Sequence, residues 1–130
     1  MFKTIAATMV LLSSQVSADN YDANIRSDGT CFVGKTCYAV VNVTPKGDMH
    51  INTAYPTRFK IGNYPNASFD NPLVTKDNGS VNESSILLKF PFVPKTCGNL
   101  QIGGTLYFSV CNGSSCHMEH VDLDTTIATK

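Results

Sequence analysis

Gly, Pro, Asn and Asp recur about every 8 to 12 residues along the chain, and the segments between them alternate apolar with polar side chains. Cys37-Tyr-Ala-Val-Val-Asn-Val43 and Thr105-Leu-Tyr-Phe-Ser-Val-Cys111 show the pattern most clearly. No stretch holds the 3.6-residue period of an amphipathic helix. A chain punctuated in this way buries one face of each short strand, and the fold that does so is an all-β sandwich. The spacing predicts strands at 21–25, 37–43, 49–52, 58–61, 85–92, 105–111 and 121–127, about seven to eight in all with a short one near Leu73-Val74. Ala39, Val41 and Val43 are expected inward with Asn42 outward, and Leu106, Phe108 and Val110 inward. Residues 62–82 read as a long surface loop. Pro91 predicts that its strand lies at an edge or ends in a bulge, because proline cannot donate to a ladder. An immunoglobulin-like order makes the strand ending at Cys111 the penultimate one. It gathers Cys31, Cys37 and Cys97 at one end of a single sandwich, with Cys111 and Cys116 at the other.

Residues 1–18, MFKTIAATMVLLSSQVSA, have a positive start at Lys3, an apolar run from Ile5 to Leu12 and the small-residue pattern Val16-Ser17-Ala18. That is the form of a secretory signal peptide. The run falls short of the roughly 20 apolar residues that span a bilayer, so no membrane insertion is expected after cleavage. Cutting after Ala18 leaves one domain, residues 19–130, in a compartment where disulfides persist. The 10 Lys+Arg balance the 10 Asp+Glu. This removes the electrostatic case for a nucleic-acid partner and for a polybasic membrane patch.

The five cysteines cannot all pair within one chain. Cys31 and Cys37 flank a turn containing Gly34. Three pairings of Cys31, Cys37 and Cys97 are open, each leaving one thiol, and proximity favours Cys31–Cys37. Cys111 and Cys116 flank Asn112-Gly-Ser-Ser115, and Asn-Gly is a strong turn former. Closing so small a ring removes little unfolded-state entropy, which makes the bridge a poor staple but a reachable redox group. His117 and His120 are close enough in sequence to lower a neighbouring cysteine pKa, and Glu119 acts the other way. Three readings remain open for this segment: a plain hairpin disulfide in a binding module, a thiol–disulfide exchange pair, or a copper or zinc site that adds Met118 and the histidines, with His50 from a neighbouring strand. The spacing fits no standard zinc finger. Five Asn (42, 66, 78, 82 and 112) head N-x-S/T triplets, which are glycan acceptors only in a eukaryotic secretory pathway. The sequence shows no catalytic triad and no phosphate loop, and no cofactor is expected.

The stretch Gly103-Gly-Thr-Leu-Tyr-Phe-Ser-Val-Cys-Asn-Gly-Ser-Ser-Cys-His-Met-Glu119 resembles the end of the N-terminal periplasmic domain of the DsbD thiol:disulfide interchange protein family. Thr44 to Asn52 and Ser85 to Phe92, followed by a Gly103-Gly104 turn, fall in the matching order, so the resemblance covers most of residues 36–127. It implies an immunoglobulin-like sandwich in the periplasm. Cys111 and Cys116 would be its redox pair, Cys116 the cysteine that attacks a partner's disulfide, and a thioredoxin-like protein the partner. The stretch matching the family's aromatic cap loop, Thr75 to Ser85, has no aromatic residue.

Overall fold

The computed structural model describes residues 14–130. The expected leader therefore lies largely outside the described residues, and only its end, from Ser14, is seen. The described residues form eleven strands and one 3-10 turn. The strands are β1 (Ser14–Ser17), β2 (Tyr21–Ser27), β3 (Cys37–Pro45), β4 (His50–Ile51), β5 (Arg58–Ile61), β6 (Ala67–Ser68), β7 (Leu73–Thr75), β8 (Gly79–Asn82), β9 (Ser85–Pro94), β10 (Gly98–Cys111) and β11 (Cys116–Thr129). One sheet runs β1-β2-β3-β9-β6, with β8 also on β9; the other runs β11-β10-β5-β7, with β4 also on β10. All the strand pairings are antiparallel. The result is the all-β sandwich that the alternation predicts, with added strands of two to four residues and with its last two strands, at 14 residues each, longer than expected.

The core forms where the two inner faces meet. Ala23, Ile25, Ala39, Val41 and Val43 come from one sheet, and Phe59, Leu106, Phe108 and Val110 from the other; all are fully buried. Aromatic pairs tie the layers together. Tyr21 meets Phe108 edge-to-face with ring centroids 4.9 Å apart, and Phe59 stacks on Phe90 at 5.7 Å. Such pairs contribute on the order of 1 kcal/mol beyond their burial.

Several expectations need correction. The 62–82 segment is not a plain loop: it carries β6, β7, the 3-10 turn Lys76–Asn78 and β8. The proline strand β9 is interior, between β3 on one side and β8 and β6 on the other. Its outer partners cover Ser85–Leu88 and Val93–Pro94 only, so Pro91 sits in a gap where the outer ladder is missing. Gly103-Gly104 is not a turn but the middle of β10, paired with Asp124 and Leu123. Here glycine answers a packing need. A Cβ on Gly104 would run into the Lys60 carbonyl oxygen and Ile61 Cα of β5, and one on Gly103 into Leu123 and Asp124 of β11.

The end of the sandwich away from the Cys111–Cys116 hairpin is closed by the Cys31–Cys37 turn. Gly34, at φ 77°, lets this turn reach both sheets. The Gly34 N–H donates to the Pro94 carbonyl at 2.9 Å, Val33 N–H to Lys130 at 2.9 Å, and Lys130 N–H to Cys31 at 3.0 Å. Cys31 and Cys37 are bonded to each other and buried, and Cys97 is free and exposed nearby. The expected gathering of these three cysteines at one end is present, since Cys31 and Gly98 flank the same residue, Thr129.

Two measurements test this packing. Gly104→Ala is expected to destabilise the fold by on the order of 3 kcal/mol in denaturant unfolding. Gly113→Ala, where an added Cβ meets nothing within 4 Å, leaves the midpoint nearly unchanged. Burial first, and the Glu119 charge second, hold the Tyr21 phenol above its ordinary value of 10.0. Its neutral form is therefore favoured in the folded state: the contribution is complete below 10.0 and is lost as pH rises from there through the raised folded value. Tyr21→Phe should flatten the alkaline fall of the unfolding midpoint; an unchanged slope would show that Tyr21 does not drive it.

Candidate functional site

The ladder between β10 and β11 runs through fourteen residue pairs, from Gly98↔Thr129 to Cys111↔Cys116. Its tip is the four-residue turn Asn112–Ser115. The Asn112 side-chain oxygen accepts from the Ser114 and Ser115 N–H groups at 2.9 Å each, and the Asn112 N–H donates to the Ser115 carbonyl at 2.9 Å. This self-contained Asx turn holds Cys111 and Cys116 as a directly opposed pair with Cα atoms 4.0 Å apart, and they are disulfide-bonded. The separation is slightly shorter than the roughly 4.4 Å lower end of the usual range.

Strand alternation decides which side chains share a face with the bridge. Leu106, Phe108 and Val110 point into the core, so Thr105, Tyr107, Ser109 and Cys111 point outward. The registers then fix successive rows across the outer face. Cys111 stands in the middle of the first row, with His50 opposite it on one side and Cys116 on the other. Asn52 follows beside Ser109, linked by its N–H to the Ser109 carbonyl at 2.8 Å, with Met118 across. Arg58, Tyr107 and His120 form the next row. There the Arg58 guanidinium lies 4.5 Å from the Tyr107 ring centroid, and Tyr107 lies 6.2 Å from the His120 ring. Lys60, Thr105 and Asp122 follow, with the Thr105 hydroxyl donating to the Asp122 carboxylate at 2.6 Å.

The two sulfurs differ in access. Cys111 retains 6% of its surface, whereas Cys116, on the edge strand, is exposed. Met118 beside it is 78% exposed. The Thr75–Ser85 stretch forms the 3-10 turn and β8, and β8 pairs with β9. Only its tip reaches towards the site, where the Glu83 carbonyl accepts the Ile51 N–H at 3.0 Å.

The sequence-predicted neighbours separate into two groups. His120 shares the face of the bridge but stacks two rows away. His117 and Glu119 alternate to the opposite face: His117 lies 3.4 Å from the Ser115 hydroxyl, and the Glu119 charge acts on Tyr21 instead. Their closeness to Cys116 in sequence is not closeness to its sulfur. His50 is the imidazole the register does bring beside the bridge. Its sequence signal was weak, since a two-residue strand carries no periodicity with which to set its register. The Arg58–Tyr107 contact had no sequence signal at all. Among the described residues no group of three or more His, Cys, Asp or Glu is placed to hold a metal ion. A recess of about 600 Å³ opens between residues 53–58 and Leu73–Val81, and neither cysteine lines it.

No protein-family model matches the chain, and no curated protein matches it.

The hairpin does not depend on its disulfide, because the Asx turn and the long ladder hold the same register. Reduction of Cys111–Cys116 is therefore expected to leave the far-ultraviolet circular dichroism spectrum intact. The expected loss of stability is no more than about 2 kcal/mol, the low end for a short closed loop. Collapse of the spectrum on reduction of this bridge alone would contradict that.

Proposed function

We propose that the protein is an extracytoplasmic thiol–disulfide exchange module that works through Cys111 and Cys116, with a thioredoxin-like protein as its partner. The observation that carries this reading is the asymmetry of the bridge: an exposed Cys116 is tied to a buried Cys111 at a hairpin tip whose turn is held by its own hydrogen bonds. On this reading an incoming thiolate attacks Cys116, the more exposed of the two. The resemblance to the DsbD N-terminal domain read from the residues over most of 36–127 points to the same pair, although no family model matches the chain. The disulfides in a small β domain are compatible with an oxidising compartment, and no helix among the described residues is long and apolar enough to cross a membrane.

The exchange balances as follows. A partner thiolate attacks Cys116 Sγ and forms a mixed disulfide, and the Cys116–Cys111 bond breaks with its electron pair going to Cys111 Sγ. The partner's second thiolate then attacks its own half of the mixed disulfide and releases Cys116 as a thiolate. One bridge is reduced to two thiols, and one partner dithiol is oxidised to a disulfide. The reverse sequence starts from the Cys116 thiolate attacking a partner's disulfide.

A trapping experiment tests the assignment, in a Cys97→Ser background so that the exposed free thiol does not react. Cys111→Ser leaves Cys116 without a resolving partner and is expected to accumulate a mixed disulfide with an oxidised thioredoxin-like protein. Cys116→Ser leaves only the buried thiol and is expected to form almost none. Trapping through Cys111, or no trapping through Cys116, would overturn the proposal.

A further inference from the structure

We propose that His50 is the charge partner of the Cys111 sulfur, stabilising it as the leaving thiolate when Cys116 is attacked. The inference rests on the exchange reading in one respect, that Cys116 is the sulfur attacked. What it adds is how a buried thiolate is tolerated at Cys111.

The problem is electrostatic. Once the bridge opens at Cys116, the electron pair resides on a sulfur that the fold keeps out of water. A thiolate in such surroundings is disfavoured unless a positive charge or a proton donor stands beside it, and exchange is faster when the leaving thiol is more acidic. The register supplies one candidate. His50 on β4 is directly opposite Cys111. The next pair, Ile51 and Val110, is buried in the core, so both His50 and Cys111 project to the outer face. Directly opposed side chains have Cβ atoms about 4.5–5.5 Å apart, which brings an imidazole within reach of the sulfur. The Asn52 N–H to Ser109 carbonyl bond continues that register along β10, and the Ile51 N–H to Glu83 carbonyl bond ties β4 to the β8–β9 tip on its other side.

The other ionisable groups around Cys111 are worse placed. On β11, His117 faces the opposite side and His120 lies two rows away across from Tyr107. Ser109 and Met118, in the row between, carry no charge, and neither does the turn Asn112–Ser115. Of the turn before β4, Lys46 is paired with Asp22 at 3.2 Å and Asp48 is exposed. Glu83, at the β8–β9 tip, meets β4 through its backbone carbonyl and has an exposed side chain. His50 is thus the one ionisable side chain, apart from the cysteine pair itself, that these registers place directly across from Cys111.

In the step itself, the dithiol's thiolate bonds to Cys116 Sγ, the Cys116–Cys111 bond breaks, and Cys111 Sγ carries the electron pair beside a protonated His50. The imidazolium either holds that charge or transfers its proton to the sulfur, and in the second case takes one back from solvent. Histidine is the side-chain type whose charge changes between about pH 5 and 8, so the test is run across that window.

The test is the rate of reduction by dithiothreitol in the Cys97→Ser protein, divided at each pH by the fraction of dithiothreitol present as thiolate. The corrected rate is expected to fall as pH rises from about 5 to 8. His50→Gln should be about tenfold slower at the acid end and flat across the range. His50→Lys, which keeps a cation across this range, should be fast and equally flat. A purely structural role for His50 predicts no such rescue. Superposable profiles for His50→Gln and the parent, or His50→Lys as slow as His50→Gln, would overturn the inference. Dithiothreitol attacks the bridge whether or not a biological dithiol does. Failure here therefore overturns the role of His50 alone, absence of any trapping overturns the exchange reading alone, and trapping through Cys111 overturns both.

Discussion

The ladder between β10 and β11 organises everything else in this molecule. Its fourteen pairs place Cys111 against Cys116 at one end and Gly98 against Thr129 at the other, where Cys31 joins from the opposite side. Between those ends, Gly103 and Gly104 let β5 and β11 approach β10 closely enough to pair along its middle. Because strand alternation is strict, one register decision sends Leu106, Phe108 and Val110 into the core and Tyr107, Ser109 and Cys111 to the outer face. A slip of one residue would bury the bridge and expose the core.

The same ladder explains why the two disulfides have different characters. Cys31–Cys37 lies buried in a turn whose backbone bonds to both sheets, at Pro94 and at Lys130. Its removal would loosen the closure of that end. Cys111–Cys116 joins two strands that the ladder already joins, links nothing across the sandwich, and leaves one sulfur in water. On the proposed reading, this second bond is the one made and broken.

Much of the fold was legible in the sequence because its longest strands are half-buried. Ala39, Val41 and Val43, and Leu106, Phe108 and Val110, alternate as a two-layer core demands, and Asn112-Gly113 marks the turn between the last two strands. The short strands were not legible. His50–Ile51 and Ala67–Ser68 are two residues each and carry no period of their own; their pairing is imposed by β10 and β9. Pro91 was read by a sound rule, but the relevant edge is local: two short partners leave a gap on the outer side of an interior strand. The candidate site was half legible. The cysteine pair follows from its spacing, whereas its environment depends on which strand packs beside it. Adjacency in sequence pointed to His117 and Glu119, and alternation turns both away from the bridge. The register of β4 brings His50 to it instead.

The central claim is that Cys111–Cys116 is an exchangeable bond rather than a staple, and its reduction potential tests that most directly. Equilibration of the Cys97→Ser protein in defined glutathione buffers, with the two bridges resolved by mass spectrometry, gives the potential of each. The account predicts a value for Cys111–Cys116 above about −300 mV, in the range of bonds that cellular dithiols reduce, with Cys31–Cys37 remaining oxidised under the same conditions. A value for Cys111–Cys116 below about −300 mV would mark it as a structural bridge and contradict the account.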